Sequence, residues 1–201
     1  MSCPCTLVTK EAPDFTADAV MPDNTFASIK LSSYRGKHVI LFFYPLDFTF
    51  VCPSEILAFN KRLNDFKKRN CEVIGVSVDS KFTHLAWKNT ALEDGGIGDI
   101  QYPLVADLKK EIAAQYGVLF ENAGVALRGL FLIDTKGVVR HAVINDLPLG
   151  RSVDEALRML DALQFVETHG DQVCPANWKE GDDSMEPTAK GVASYLAKHG
   201  K

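Results

Sequence analysis

The chain has 201 residues, 46% of them hydrophobic, so it can bury a sizeable core, and its length favours one domain with an appendage. The formal net charge of -4 offers no basic surface for nucleic acid. No apolar stretch approaches the roughly 20 residues of a membrane span, and the first residues show no secretory signal. We therefore expect a cytoplasmic protein that binds neither nucleic acid nor membranes.

Short apolar runs alternate with amphipathic segments along most of the chain. Residues 38–45, HVILFFYP, form a continuous apolar run that is typical of a buried central strand. Over residues 53–70 the apolar positions repeat at intervals that place them on one face of a helix, namely Ile56, Phe59, Leu63 and Phe66. Strands are further predicted at 72–78 and 102–107, and helices at 81–92 and 109–116.

The last part of the pattern is a hairpin followed by a helix. Residues 130–144 contain two β-rich runs around a Gly-containing turn. Residues 152–170 carry Val153, Leu157, Leu160 and Leu163 on one helical face, with Ser152 as N-cap. This order predicts an α/β, thioredoxin-like fold, in which helices flank a central mixed β-sheet. We expect this domain to span residues 1–170, and residues 171–201 to form an extended C-terminal arm with one weak helix at 189–200.

The cysteines favour redox chemistry over structural roles. They number five, an odd count that disfavours a disulfide framework in a reducing compartment, and stand at Cys3, Cys5, Cys52, Cys71 and Cys174. Their spacing from one another and from the histidines does not fit a zinc site, so we expect no metal. A disulfide reductase of the thioredoxin type is disfavoured because the sequence contains no Cys-x-x-Cys.

Cys52 is the most informative of these thiols. Pro53 suits the first position of a helix and Glu55 suits its first turn, so Cys52 should stand at a helix N-terminus, where N–H groups and the helix dipole stabilise a thiolate. A helix end supplies only about 0.3–1 kcal/mol, so a second cation is wanted, and Arg128 in GVALRGLFLID is the candidate. The alternatives are a packed apolar thiol at 52 and a solvated surface arginine at 128.

Thr49 and Pro45, which both precede Cys52 in the sequence, suit the chemistry of a reactive thiolate. Ionisation of a thiol alone gives only a limited gain in the rate at which it attacks a substrate. Larger acceleration must come from hydrogen-bond donors that stabilise the charge developing in the transition state. The hydroxyl of Thr49 can donate and accept hydrogen bonds. Pro45 has a rigid ring and no N–H, so it can only shape the pocket and shield a thiolate.

The segment PLDFTFVC, from Pro45 to Cys52, resembles the Pro-x-x-x-Thr-x-x-Cys signature of the peroxiredoxins. The separate segments FVCPSEI, GVALRGLFLID, RHAVINDLPLGR and VCPANW are similar to the typical 2-Cys subgroup, which includes bacterial alkyl hydroperoxide reductase subunits and thioredoxin peroxidases. The resemblance runs from residues 12–15 into the C-terminal arm. It implies that this chain is a thiol-dependent peroxidase that reduces hydrogen peroxide and organic hydroperoxides, with no cofactor, that is, without a metal, flavin or haem of its own.

The resemblance also implies a role for each residue of the site. Cys52 would be the peroxidatic nucleophile, Thr49 and Arg128 would orient the peroxide, Pro45 would close the pocket and Glu55 would hold the arginine. Attack on the peroxide converts the Cys52 thiolate to a sulfenic acid, which needs a second thiol to trap it.

Cys174 in QVCPANW looks like that second thiol, the resolving cysteine. The resemblance implies a disulfide between subunits of a homodimer, with dimers assembling into decamers. The electron donor would be thioredoxin or a flavoprotein disulfide reductase, and the sequence does not distinguish them. Cys71 is interpreted as a packed thiol, Cys3 and Cys5 as incidental surface thiols, and Phe50 and Trp87 as core or interface packing residues rather than substrate contacts.

A second function, from another class, is a holdase chaperone or redox relay in which oxidation changes the assembly state. Both roles can coexist in one member of this family. In a Cys52→Ser variant, peroxide consumption should vanish, whereas suppression of aggregation by a passive holdase should persist.

Two segments bear on hyperoxidation of Cys52. GGIG at 95–98 is similar to a Gly-Gly-Leu-Gly loop of the family, with Ile97 in place of Leu, and Leu196 follows Tyr195 where sensitive members carry Phe. A leucine offers less apolar contact than a phenyl ring to clamp the arm over the active-site helix. We therefore expect intermediate sensitivity, measured as sulfinylated Cys52 by intact mass during turnover with graded peroxide. Resistance equal to that of an arm-deleted variant would contradict this.

Overall fold

The computed structural model describes residues 6–200, so Cys3 and Cys5 lie outside the described part of the chain. The chain divides into two compact units, the first ending at Val153 and the second beginning at Asp154. The predicted boundary between a domain and an arm after residue 170 stays a prediction. Among residues 6–200, no helix has both the length and the apolar content that crossing a bilayer requires.

The first unit is built on a seven-stranded mixed sheet in the order β2-β1-β5-β4-β3-β8-β9. β3, β4 and β5 run parallel to one another, and the remaining pairs in the sheet are antiparallel. A separate two-stranded ribbon joins β6 and β7. The strands are β1 (Thr16–Val20), β2 (Phe26–Lys30), β3 (His38–Phe43), β4 (Cys71–Ser77), β5 (Leu104–Ala106), β6 (Leu119–Phe120), β7 (Val125–Ala126), β8 (Arg128–Ile133) and β9 (Val139–Asn145).

Helices alternate with these strands along the chain, as the α/β pattern of the sequence predicted. Two short 3-10 turns lie at Leu31–Tyr34 and Leu92–Asp94. The α-helices are α1 (Cys52–Lys61), α2 (Leu63–Lys68), α3 (Lys81–Asn89), α4 (Glu111–Gln115), α5 (Val153–Thr168) and α6 (Ala189–His199). The predicted fold class, a central mixed sheet with helices around it, is confirmed.

β3 is the central strand that its apolar run predicted, since all six of its residues are buried. It lies between β4 and β8, with Leu41 opposite Ile74 on one side and Phe131 on the other. Successive side chains of a strand point to opposite faces, and aromatic contacts fill both. Phe43 packs against the ring of Phe131 at 5.9 Å, whereas Phe42 stacks on Phe59 of α1 at 4.6 Å.

Parts of the first unit, including the β6–β7 ribbon, differ from the sequence prediction. The helix expected over residues 53–70 is interrupted at Arg62, whose φ of −99° and ψ of 7° separate α1 from α2. The antiparallel hairpin of β1 and β2 was not predicted. Its strands have five residues each and are half exposed, so they lack the long apolar run that identified β3.

The second unit contains α5, α6 and the segment between them. α5 confirms the helix predicted at 152–170, and Val153, Leu157 and Leu160 of its predicted apolar face are buried. Between the helices, Val173 and Met185 form an isolated antiparallel bridge. α6 corresponds to the weak helix predicted at 189–200, and the Thr188 hydroxyl caps it by accepting the N–H of Gly191 at 3.0 Å.

Candidate active site

The loop after β3 delivers Cys52 to the first position of α1, with Pro53 directly after it. The backbone of Phe48 lies in the left-handed region (φ 52°), which turns the chain before the helix starts. The carbonyl oxygen of Val51 accepts the N–H groups of Ser54 and Glu55 at 3.1 and 3.3 Å. Cys52 has 0% exposure, so its sulfur is enclosed, and its environment depends on the polar groups around it.

Two polar side chains contact the Cys52 sulfur. The Thr49 hydroxyl oxygen lies 3.0 Å from Sγ, and Nη1 of Arg128 lies 3.5 Å from it. The same hydroxyl lies 2.8 Å from the carbonyl oxygen of Leu46. Since a hydroxyl carries one proton, Thr49 donates to one of these two acceptors at a time. Cys52 is therefore buried but not sealed in hydrocarbon, which disfavours the reading as a packed apolar thiol.

Glu55 holds Arg128 beside the sulfur. Arg128 is the first residue of β8, and its Nη1 donates to Oε2 of Glu55 at 2.6 Å while its Nε donates to the carbonyl oxygen of Leu147 at 2.6 Å. The side chains of Arg128 and Glu55 are each 3% exposed. Arg128 is thus not the solvated surface arginine that the sequence left as an alternative.

A second arginine, Arg151, completes this network, and sequence reasoning gave it no role. Its Nε and backbone N–H donate to Oε1 of Glu55 at 2.7 and 2.8 Å, and its Nη2 donates to Oε2 at 3.0 Å. Its Nη1 donates to the carbonyl oxygen of Gly129 at 2.6 Å, and its guanidinium lies 5.3 Å from the ring centroid of Phe42. The guanidinium is therefore fixed on every side.

The buried network beside the sulfur carries more positive than negative charge. Burial alone would raise the pKa of Glu55, but the hydrogen bonds and charge of Arg151, with the charge of Arg128, outweigh it and lower that pKa. Glu55 is therefore ionised at neutral pH. Two buried guanidinium groups and one carboxylate leave one net positive charge, and a buried charge without a counterion is costly. A Cys52 thiolate, in contact with Arg128, would neutralise it.

A separate buried network fixes the start of the loop, and it too was missed. Nδ1 of His84 lies 2.7 Å from Oδ2 of Asp47, and the Tyr44 hydroxyl donates to Oδ1 of Asp47 at 2.8 Å. The backbone N–H of Asp47 donates to Oδ2 of Asp79 at 2.8 Å. Burial raises the pKa of Asp47, although His84 opposes the rise. These bonds tie the loop to α3 and to the residues after β4.

The other predicted site residues lie as follows. Pro45 is buried directly after Tyr44. Cys174 belongs to the second unit, is partly buried and has its sulfur 3.7 Å from the carbonyl oxygen of Ala162. Cys52, Cys71 and Cys174 are free thiols. Burial raises the pKa of Cys71, as expected for a packed, unreactive thiol.

Comparisons with known proteins agree over nearly the whole chain. Residues 8–142 match the AhpC/TSA family, and residues 162–198 match the C-terminal domain of 1-Cys peroxiredoxin. Peroxiredoxin-1 of Gallus gallus is 58% identical over 198 residues, which cover 98% of this chain and 99% of the relative.

The chain is also similar to solved structures of peroxiredoxins over most of its length. Reduced 2-Cys peroxiredoxin of Plasmodium vivax superposes with a TM-score of 0.93 at 54% identity, covering 96% of this chain and 99% of that one. Plasmodium yoelii Prx1a, modified at its N-terminus and forming an artefactual octamer, gives a TM-score of 0.76 at 59% identity over 85% and 98% of the two chains.

The sequence analysis did not identify Arg151 or the pair of Asp47 and His84, and only Arg151 has a local sequence signal that could have been used. Arg151 stands two residues before the start of α5, where the positive end of the helix dipole disfavours a cation. An arginine at such a position needs a carboxylate partner, and that is a usable signal. Asp47 and His84 are 37 residues apart on elements with no shared pattern, so their pairing follows only from the fold.

We expect an Arg151→Met variant to lose about 3–5 kcal/mol of unfolding free energy, because the buried carboxylate of Glu55 would lose two side-chain hydrogen bonds and the carbonyl oxygen of Gly129 would lose its donor. Urea unfolding near pH 7 measures this loss. Arg35→Met is the matched control, since Arg35 forms a solvent-exposed pair with Glu11 and should cost about 0–1 kcal/mol. Equal losses in the two variants would contradict the assigned importance of Arg151.

The same variant should change the pH dependence of stability. Because the folded protein lowers the pKa of Glu55, this group contributes stability that is present above its unfolded value of 4.5 and is lost as the pH falls through the lower folded value. Arg151→Met should reduce this acid-dependent loss, measured by urea unfolding between pH 3 and 7. An unchanged slope in the variant would contradict the dominant role of Arg151.

Proposed function

This chain belongs to the AhpC/TSA family and is a typical 2-Cys peroxiredoxin, a thiol-dependent peroxidase with an antioxidant function, and we propose that Cys52 is its peroxidatic cysteine. The observation that supports this assignment is the pair of donors at the sulfur, Thr49 and Arg128. The net positive charge of the buried arginine network adds to it, since it stabilises the thiolate.

The proposed first step follows from these contacts. The Cys52 thiolate attacks the terminal oxygen of the peroxide, an S–O bond forms and the O–O bond breaks. The sulfur is oxidised to a sulfenic acid, and the leaving oxygen takes up a proton to depart as water or alcohol. Nη1 of Arg128 and the hydroxyl of Thr49 both lie within reach of oxygens at the sulfur, so they can orient the peroxide and stabilise the charge on the leaving oxygen. We propose that Pro45 shields this pocket.

The proposed second step joins Cys52 to Cys174 of the partner subunit in a disulfide. Cys52 is fully enclosed at the first turn of α1, so this turn must open locally before another thiol can reach its sulfur. The disulfide is then reduced by thioredoxin or by a flavoprotein disulfide reductase. Peroxide-dependent oxidation of NADH or NADPH, reconstituted with each donor system in turn, distinguishes the two donors.

We also propose that the chain forms homodimers that assemble into decamers. The loop before Cys52 supports association because it exposes three large apolar side chains, Leu46, Phe48 and Phe50, the last of them 97% exposed. Isolated exposed apolar residues are ordinary, but a group of them on one loop favours a protein contact. Trp87, by contrast, is fully buried. A cytoplasmic location fits the need for a reducing donor.

Removing the Thr49 hydroxyl tests the assignment most directly. We expect Thr49→Val to lower kcat/KM for hydrogen peroxide about 10²–10³-fold, the usual cost of one donor that stabilises transition-state charge. Thr49→Ser retains the hydroxyl and is the matched control, with a loss of less than about tenfold. Peroxide consumption with dithiothreitol as reductant gives both values, and Cys52→Ser sets the background. Equal rates for the Val and Ser variants would refute the role of Thr49.

Stoichiometric oxidation tests the resolving step. One equivalent of hydrogen peroxide should produce a linked peptide containing Cys52 and Cys174, in a species with the mass of two chains under denaturing, non-reducing conditions. Cys174→Ser should leave the sulfenic acid at Cys52, whereas Cys71→Ser should behave like the native protein. A Cys52–Cys174 peptide from a species with the mass of one chain would contradict the intersubunit bond.

A further inference from the structure

Residues 174–178, the segment that carries Cys174, lie along one face of α5. Arg158, Ala162 and Phe165 are spaced by four and three residues, which places them on the same side of this helix. Nη1 of Arg158 donates to the carbonyl oxygen of Trp178 at 2.9 Å, and the Cys174 sulfur lies 3.7 Å from the carbonyl oxygen of Ala162. The rings of Phe165 and Trp178 pack at 4.8 Å, so α5 holds the segment at three points.

The guanidinium of Arg158 is held in place by an acidic residue of the same helix. Its Nε and Nη2 each lie 2.7 Å from a carboxylate oxygen of Glu155, in a two-pronged pair, and Nη2 also contacts the sulfur of Met159 at 3.1 Å. Such an arginine fork leaves little freedom of orientation. The positive charge is thereby fixed beside the segment that contains Cys174.

The charge of Arg158 acts on Cys174. Burial raises the pKa of the Cys174 thiol, and the positive charge of Arg158 opposes this rise. Two further titratable groups contact residues of this face: Glu155 pairs with Arg158, and His169 stacks on Phe165 at 4.3 Å. Asp182 contacts the end of the segment, since its carbonyl oxygen accepts the indole N–H of Trp178 at 3.2 Å and its carboxylate accepts the backbone N–H of Lys179 at 2.9 Å.

We propose that Arg158 is a positioning residue for the chemistry of Cys174, anchoring residues 174–178 on α5 and placing a cation where it favours the Cys174 thiolate. This inference rests on the proposed resolving role of Cys174. In the thiol form, Sγ can donate its proton to the carbonyl oxygen of Ala162. A thiolate cannot donate, so ionisation removes that bond and leaves the attraction of Arg158 as the interaction that retains the sulfur.

Both steps that involve Cys174 use its thiolate. In resolution, the Cys174 thiolate attacks the sulfenic sulfur of Cys52, the S–S bond forms, the S–O bond breaks and hydroxide leaves to become water. In reduction, a donor thiolate attacks the Cys52 sulfur, the S–S bond breaks and Cys174 leaves as a thiolate. A more stable thiolate is more abundant as a nucleophile and departs faster as a leaving group.

The expected effect on rate is moderate. Intrinsic nucleophilicity rises as a thiol becomes less acidic, with a Brønsted coefficient of about 0.4–0.5. A tenfold loss of thiolate should therefore slow the attack on the sulfenic acid only about threefold. The ionisation of Cys174 is a more sensitive readout than turnover.

The test measures alkylation of Cys174 by iodoacetamide as a function of pH, in the full chain with Cys52→Ser so that no disulfide to Cys52 can form. Peptide mass spectrometry separates Cys174 from the other thiols. Arg158→Met should move the midpoint of the profile to higher pH, Arg158→Lys should restore it at least in part, and Glu155→Gln should move it to lower pH. The rate at the high-pH plateau reports accessibility.

If Arg158 only anchored the segment and its charge had no effect on Cys174, Arg158→Met would shift the midpoint of alkylation in the opposite direction. Release of the segment would reduce the burial of Cys174, which lowers the midpoint and increases the plateau rate. An unchanged or lowered midpoint in Arg158→Met therefore overturns the proposal. If circular dichroism shows that Arg158→Met has lost helix, the test rests on Glu155→Gln instead. An unchanged alkylation midpoint in Glu155→Gln also overturns the proposal. Because Cys52 is absent, this readout is independent of the disulfide test of the resolving role.

Discussion

The burial of one carboxylate between two guanidinium groups is the constraint on which the site depends. Glu55 accepts hydrogen bonds from Arg128 and Arg151, and it brings α1 into contact with β8 and with the residues before α5. The network has one more positive charge than negative. Burial of such an excess is tolerable only with a nearby anion, and the sulfur of Cys52 lies within contact distance of Arg128. The ion pairs that join these elements therefore also place a positive charge beside the sulfur.

The scaffold explains why this network can be rigid. β3 is buried on both faces and sets the direction in which the chain leaves the sheet, and the pairing of Asp47 with His84 fixes the first residues of the loop. Cys52 then follows as the first residue of α1, without a side-chain N-cap. The neighbouring strand β8 begins with Arg128 itself, so the cation is placed by a core strand and not by a mobile loop.

The sequence predicted those parts of the protein whose signal is local. The apolar run of β3, the repeats of α1 and α5 and the spacing of Thr49 and Cys52 each lie within one segment, so one segment was enough to identify them. Arg151 and the pair of Asp47 with His84 act across long sequence separations, and their partners are set by tertiary structure. The β1–β2 hairpin escaped detection for a different reason, since its strands are short and half exposed.

The Thr49 hydroxyl lies between the Cys52 sulfur and the carbonyl oxygen of Leu46, so it links the charge of the sulfur to a hydrogen bond within the loop. When the sulfur is a neutral thiol, the Thr49 hydroxyl can donate its proton to the carbonyl oxygen of Leu46, and this hydrogen bond closes the turn between the two residues. A negatively charged sulfur is the stronger acceptor, and when it takes that proton the carbonyl oxygen is left without its donor. The charge of the sulfur is thus coupled, through one shared proton, to a hydrogen bond that holds the loop directly before α1.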